Sequence, residues 1–240
     1  MLYILLAAYN EEYNLPFVFD SIKALNLPFP YKIIIVNDGS TDKTPFVLEQ
    51  YKNSAPIRTI EHPFNLGLGK ALLTGFNHII KELKETDSIV VLDSDNTHPV
   101  SLIPLMKEKI DSGYAVVIAS RYTKEGRQEG LGLHRKLLSI CASLLLKIVW
   151  PIKGVSDYSC GYRMYSGKLL DKIVNVYGKD FIKEKGFAAQ LEILLKASRC
   201  TDSFTEVPLQ LDYAKKKGKS KMKVFETILR YIILIIQLGQ

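Results

Sequence analysis

Through the first half of the chain, short apolar runs give way to polar loops and then to apolar positions at helical spacing. Tyr3 to Ala8 reads as a buried strand, after which Leu15, Val18, Phe19, Ile22 and Leu25 recur along one helix face. Lys32 to Val36 is a second strand, leading into a helix near Asp42 with Pro45 in its first turn. Ile57 to Glu61 is a third, followed by a helix face of Leu72, Phe76, Ile79 and Ile80. Ile89 to Leu92 is a fourth, with a helix from Pro99 to Ile110, and Tyr114 to Ala119 is a fifth. Such alternation predicts parallel βαβ units, that is, one α/β domain with a mostly parallel central sheet. The polar loops around Asn10, Asp38, Asp93 and Arg121 then fall at strand ends on one side of it.

Beyond Arg121 the pattern changes. Lys124 to Gly132 is Gly-rich and charged and reads as a mobile loop, and His134 to Trp150 as a helix. Asp157 to Tyr165 is a turn and short strand, Phe187 to Ala197 a helix carrying Glu192, and Ser203 to Leu211 a strand containing Glu206. No element is predicted between Tyr165 and Phe187. A basic run from Lys215 leads into a last helix, Val224 to Leu238, whose Phe225, Ile228, Leu229, Ile232, Ile235 and Ile236 form an apolar face.

A length of 240 residues with 47% hydrophobic and 24% charged content suits one large domain. The net charge of +7 and pI near 9.1 admit nucleic acid, a membrane surface or anionic phosphates as partners. Base-reading motifs are absent, which argues against nucleic acid. A basic segment before an apolar helix reads as an interfacial helix attracted to anionic lipid, with packing on the domain or on a small membrane subunit as the alternative. The first apolar run lacks a basic leader and meets Glu11 and Glu12, so it reads as a strand and not a signal peptide, and no stretch reaches the roughly 20 apolar residues a spanning helix needs. Cys141, Cys160 and Cys200 have no metal-ligand spacing.

The chemistry centres on Asp93, Ser94 and Asp95, where the fourth strand ends, since open α/β sheets bind ligands at the carboxyl ends of their strands. Two carboxylates one residue apart can hold a hard divalent cation that shares diphosphate oxygens; a turn before a helix is the plainer reading. Gly67 and Gly69 allow close backbone approach, to a ligand or to a neighbouring element. Arg121, Arg135 and Ser139 can converge on one phosphate, the last two spaced i, i+4 near a helix start.

In order, A-Y-N-E, N-D-G-S-T-D, N-L-G-L-G-K-A, D-S-D-N-T-H-P, S-R-Y, D-Y-S-C-G-Y-R, E-V-P and G-K-S-K-M resemble a family 2 inverting glycosyltransferase, most closely its polyprenyl-phosphate branch. The resemblance implies a single GT-A (Rossmann-like) domain over residues 1–222 with a nucleotide-sugar half (1–120) and an acceptor half (121–222), and a C-terminal amphipathic helix (223–240) for membrane or partner. It implies transfer of mannose or glucose from a nucleotide-diphosphate sugar such as GDP-mannose to a polyprenyl phosphate, on the cytoplasmic face of a membrane. Ala8, Tyr9, Asn10, Glu11, Asn37, Asp38, Asn65, Gly69 and Lys70 would bind the nucleotide sugar together with Asp93, Ser94 and Asp95. Asn37 stands where relatives carry a first Asp, and Asn37-Asp38-Gly39 also reads as a tight turn. Asp93 and Asp95 would hold Mg²⁺ or Mn²⁺, with Thr97 completing the shell, while His98 reads as a structural turn residue. Arg121, Arg135, Ser139, Lys215, Ser220 and Lys221 would bind the acceptor phosphate. Asp157, Arg163 and Glu192 would position acceptor or donor, with Cys160 a packing residue. Two rivals share the donor half: a glycosyltransferase acting on a glycan with Asp157 or Glu192 as base, and a non-catalytic nucleotide-sugar-binding subunit of a membrane complex.

Overall fold

The computed structural model describes residues 1–130, 133–215, 217 and 224–239; the side chains at 133–138, 141, 224 and 225 fall outside that description. The first elements are β1 (Leu2–Ala8), α1 (Leu15–Ala24), β2 (Tyr31–Asn37), α2 (Thr44–Tyr51), β3 (Ile57–Glu61), α3 (Leu68–Ile80), β4 (Ser88–Asp93), α4 (Ile103–Asp111) and β5 (Val116–Ser120). There follow β6 (Arg127–Glu129), α5 (Leu133–Val149), β7 (Arg163–Ser166), α6 (Gly167–Tyr177), α7 (Ala188–Ser198), β8 (Phe204–Pro208), β9 (Gln210–Asp212) and α8 (Val224–Gly239).

Strand β1 is buried over nearly its whole length, as a strand covered on both faces must be. Because side chains alternate across a strand, Tyr3 and Leu5 join one core with Phe76, Leu170 and Leu194, while Leu2, Ile4 and Leu6 join the other with Phe19, Leu48 and Met106. Among the described residues the main sheet has seven strands in the order β3-β2-β1-β4-β7-β5-β8, with only β7 antiparallel to its neighbours. The strand order reverses between β1 and β4, so the chain leaves these two strands in opposite directions and opens a crevice at their carboxyl ends. Ala7 pairs with Asp93 across that crevice, and Ala8 pairs with Asn37 on its other side.

Four elements differ from expectation. The segment expected to be a mobile loop contains β6, which pairs in parallel with β9; its charged residues carry no alternation, and only the partner strand makes it a strand. The expected strand Ser203–Leu211 is split between two sheets. Pro208 offers no N–H, and Leu209 turns out of the first sheet, donating to the Ser120 carbonyl at 2.9 Å and accepting from Arg127 at 2.8 Å. Pro99 does not begin an α-helix: a single 3₁₀ turn, Val100–Leu102, precedes α4, whose first turn holds Pro104. Between Tyr165 and Phe187 the structure has α6, capped by Ser166 and burying Leu169, Leu170 and Ile173.

Candidate active site

The D-S-D-N turn closes β4 with Asn96 in the left-handed region, φ 62°, which Asn tolerates better than most residues. Ser94 Oγ donates to the Ala7 carbonyl at 2.8 Å, tying the turn to β1. Asp95 is buried, and its Oδ1 accepts the Thr97 hydroxyl at 2.6 Å and the Thr97 N–H at 3.2 Å. Thr97 therefore commits its hydroxyl proton to Asp95, and it is not among the residues that line the cavity. His98 accepts the Asp93 N–H at Nδ1, 3.0 Å away, so its ring proton sits on Nε2, and the ring stacks on Tyr162.

Asp93, Ser94 and Asp95 form the floor of a cavity of about 700 Å³. Ala8, Tyr9, Glu11 and Asp38 line it from the β1 and β2 loops, and Asn65, Gly67 and Leu68 from the start of α3. Asp38 is the organiser here rather than an open ligand. Its carboxylate meets His62 Nδ1 at 2.7 Å, Asn65 Nδ2 at 3.0 Å, and the Leu66 and Gly67 N–H groups at 2.9 and 2.8 Å. Asn10, also left-handed at φ 53°, accepts the Thr41 N–H at 2.8 Å and so pins the first loop to the second, without lining the cavity itself.

The opposite wall was not foreseen. Residues Lys183 to Ala188 and, from α8, Glu226, Thr227 and Arg230 close the cavity. Glu192 builds this wall from behind: its Oε2 accepts the Lys183 and Glu184 N–H groups at 2.8 and 2.9 Å, and its Oε1 pairs with Lys196 at 2.5 Å. Buried and committed in this way, it holds the wall in place. Arg230 clamps α8 to the same wall through two bonds to Glu184, at 2.6 and 2.9 Å. Lys183, Lys185 and Arg230 thus line the cavity opposite the carboxylates, and no motif or periodicity marks the run from Lys183 to Ala188 in the sequence.

The glycines of N-L-G-L-G-K serve this wall. Gly67 has φ +93°, and a Cβ on Gly69 would lie 1.7 Å from the Glu184 carbonyl oxygen, while the Gly69 N–H donates to the Lys185 carbonyl at 2.8 Å. Of the two readings of Gly69, close packing is the one the geometry carries. Gly69→Ala must push α3 off the wall and is expected to cost about 1–3 kcal/mol, read as a lower midpoint in urea unfolding; an unchanged midpoint would refute the contact. Lys70 is not among the residues that line the cavity and pairs with Asp180 at 3.5 Å.

A smaller cavity, about 300 Å³, adjoins the first and shares Tyr9 and Asn65 with it. Asn37 lines this one: its Nδ2 donates to Glu61 Oε2 at 2.6 Å and its Oδ1 accepts the Ser40 N–H at 3.2 Å.

On the acceptor side, Arg121 is held by a buried partner. Its Nε and Nη2 donate to the two Asp157 oxygens at 2.7 Å each, its own N–H adds a third bond at 3.1 Å, and Nη2 also reaches Ser159 Oγ at 2.6 Å. Burial by itself would push the Asp157 carboxyl up, but the charge and hydrogen bonds of Arg121 outweigh it and hold Asp157 below the usual carboxylate range. Neither side chain is among the residues that line the cavity. Ser139 joins this cluster through Tyr122 at 2.9 Å and Ser159 at 3.4 Å. Burial raises the phenol of Tyr213, opposed by the charge of Arg121 and helped by those of Asp93 and Asp95.

Arg163 is fully buried and donates to the Gln190 and Tyr158 carbonyls, the latter at 2.7 Å, and so braces the backbone. Burial pushes the Cys160 thiol up to about 12, in keeping with a packing residue. Glu206 accepts the Ser156 and Asp157 N–H groups at 2.7 and 2.8 Å. Lys215 is exposed, whereas the Arg135 side chain, Ser220 and Lys221 lie outside the described residues. Asn14, unmarked in the sequence, holds Lys217 by its backbone, donating to the carbonyl and accepting the N–H at 3.0 Å each, which brings Lys217 to the first loop of the site.

A reversed strand order, a D-x-D turn at the switch point and two adjoining cavities define a nucleotide-binding class of α/β domain. The chain belongs to glycosyl transferase family 2, whose model matches residues 3–174. It is 29% identical over 236 residues to the dolichol-phosphate mannosyltransferase of Pyrococcus furiosus, covering 98% of this chain and 62% of that protein. It is also 26% identical to the polyprenol monophosphomannose synthase of Mycolicibacterium smegmatis, covering 91% of this chain and 80% of the relative. Among solved structures, glucosyl-3-phosphoglycerate synthase from Mycobacterium tuberculosis with Mn²⁺, UDP-glucose and phosphoglyceric acid superposes with a TM-score of 0.72 at 20% identity, over 99% of this chain and 79% of that one. This likeness shows the shared GT-A fold.

Proposed function

We propose that this protein transfers a hexose from a nucleotide-diphosphate sugar to a polyprenyl phosphate, with inversion, at a membrane surface. The observation that carries the acceptor reading is the state of Asp157 and Glu192, the carboxylates nominated as bases: each is buried and bound by cations and backbone N–H groups. A sugar hydroxyl needs a base to become a nucleophile, and a phosphate does not. The similarity to relatives named for dolichyl and polyprenyl phosphates supports the same choice.

The larger cavity suits the donor, with residues 1–120 supplying its floor and 121–222 its acceptor side. Asp93 and Asp95 are hard oxygen donors side by side at the cavity floor, a set that fits Mg²⁺ or Mn²⁺ completed by diphosphate oxygens and water. A cation held there supplies Lewis-acid stabilisation of the departing diphosphate. Lys183, Lys185 and Arg230 add positive charge on the facing wall. The acceptor phosphate oxygen attacks the anomeric carbon as the bond to the diphosphate breaks from the opposite side, and the electron pair leaves with the nucleoside diphosphate. Arg121 and Ser139, with Arg135 from α5, hold the acceptor phosphate in this reading, which requires the Arg121–Asp157 pair to share its guanidinium.

Membrane attachment is supported by two exposed apolar faces. Leu229, Ile232 and Ile236 of α8 and Ile140, Leu144, Leu145 and Ile148 of α5 are exposed, and Arg199 links the ends of both helices by stacking on Trp150 and bonding the Leu238 carbonyl. Among the described residues no helix is long and apolar enough to cross a membrane. Peripheral attachment on the cytoplasmic face, helped by the Lys215 segment, fits these faces; a small membrane subunit is the alternative cover.

The test is transfer of label from GDP-mannose and UDP-glucose, in parallel, to a short polyprenyl phosphate in anionic vesicles, with and without Mg²⁺ or Mn²⁺. Metal-dependent label in the lipid, with the anomeric configuration inverted, is expected. Donor turnover without labelled lipid would overturn the acceptor, and binding without any turnover would favour a non-catalytic subunit.

A further inference from the structure

Resting on the donor reading above, we propose that Glu61 is the residue that reads the nucleobase, and that it selects guanine. The smaller cavity offers a flat heterocycle what it needs: the rings of Tyr9 and Phe64, the prolines Pro45 and Pro63, and one carboxylate at its rim. It lies beside the larger cavity and shares two residues with it, so one nucleoside diphosphate spans both, base in the smaller and diphosphate above Asp93 and Asp95.

Glu61 is held for this task. It ends β3 directly opposite Asn37 in register, and the Asn37 amide fixes its Oε2 at 2.6 Å. Asn37 itself is used at both ends, by Glu61 and by the Ser40 N–H, and so acts as the holder rather than the reader. The His62 ring is engaged by Asp38 and Thr74, at 2.7 and 3.0 Å. Among the described residues Oε1 of Glu61 has no hydrogen-bond partner, and Oε2 retains a second lone pair.

A carboxylate accepts and does not donate, so it selects a base edge that presents donors. Guanine sets its N1–H and its exocyclic amine side by side, matching both carboxylate oxygens as a fork. Adenine and cytosine place a bare ring nitrogen beside their amine, and uracil flanks its one N–H with two carbonyls; each meets the fork with a repelled acceptor.

The experiment is calorimetric titration of GDP, IDP, UDP, ADP and inorganic pyrophosphate with Mn²⁺ into the intact protein and its Glu61→Gln variant. IDP keeps N1–H and lacks only the amine. The intact protein should bind GDP about 10-fold or more tightly than IDP, UDP or ADP, and Glu61→Gln should bring GDP to the level of IDP while leaving pyrophosphate unchanged. Equal binding of GDP and IDP to the intact protein, tighter binding of UDP, or a preference that survives Glu61→Gln would overturn the assignment. The nucleotide series on the intact protein decides this even if the variant fails to fold. If pyrophosphate binds and the bases are not told apart, Glu61 alone is misassigned; if no diphosphate binds, the donor reading falls with it.

Discussion

Asp95→Asn is expected to lower the transfer rate about 100- to 10,000-fold with little change in stability. The substitution keeps shape, and the Asn oxygen can still accept the Thr97 hydroxyl that now lies 2.6 Å from Oδ1. What it removes is half of the anionic charge that Asp93 and Asp95 place on the cavity floor. With that charge halved, a divalent cation should be held far more weakly, so the variant should need a higher Mn²⁺ concentration for half-maximal rate. Water proton relaxation in the presence of Mn²⁺ measures the same affinity without turnover. A variant with unaltered Mn²⁺ affinity would remove Asp95 from the site. Thr97→Val offers a graded comparison, since Thr97 acts through Asp95, and its effect should be smaller.

The second large effect concerns stability. Asp157→Asn strands the Arg121 guanidinium among buried groups, and breaking a buried pair in this way costs about 3–5 kcal/mol, seen as a lower urea midpoint at unchanged slope. Its pH dependence has a definite sign. The Asp157 carboxyl is depressed in the folded protein, so the stabilisation is fully present above its ordinary value of 3.8 and fades as pH falls below it. Intact and variant proteins should therefore differ most near neutrality and converge in acid. A gap that stayed constant down to acid pH would show that packing, not the ion pair, accounts for the loss. The same measurement bears on chemistry, because a carboxylate bound this firmly to Arg121 has no basicity to offer a sugar hydroxyl.

Comparison of particular residues shows why some of the site was legible and some was not. The D-x-D turn could be read because a buried β-branched strand ending in two acids is a local pattern, and the topology of open α/β sheets says what strand ends do. The Gly67 and Gly69 pair was ambiguous between ligand and packing until Glu184 was found against it, since a glycine records that something approaches but not what. Arg121 and Asp157 are 36 residues apart, and nothing local signals that they meet. The wall from Lys183 to Ala188 is invisible for a related reason: it is held by distant groups, with Glu192, one turn into α7, accepting the N–H groups of Lys183 and Glu184.

Legible in the residue pattern alone were the alternating strands and helices, the crevice side of the sheet, the acidic turn at Asp93 and Asp95, the family, and an apolar helix after the basic run. These depend on periodicity and on short motifs, which act over a few residues. The folded arrangement settled which charges are spent on each other, as in Arg121 with Asp157 and Glu192 with Lys196. It also decided that β6 pairs with β9, that α8 closes the cavity through Arg230, and that Asn37 presents Glu61. Those outcomes depend on which distant side chains share a desolvated space, where an unpaired charge is costly, and that space exists only once the chain has folded.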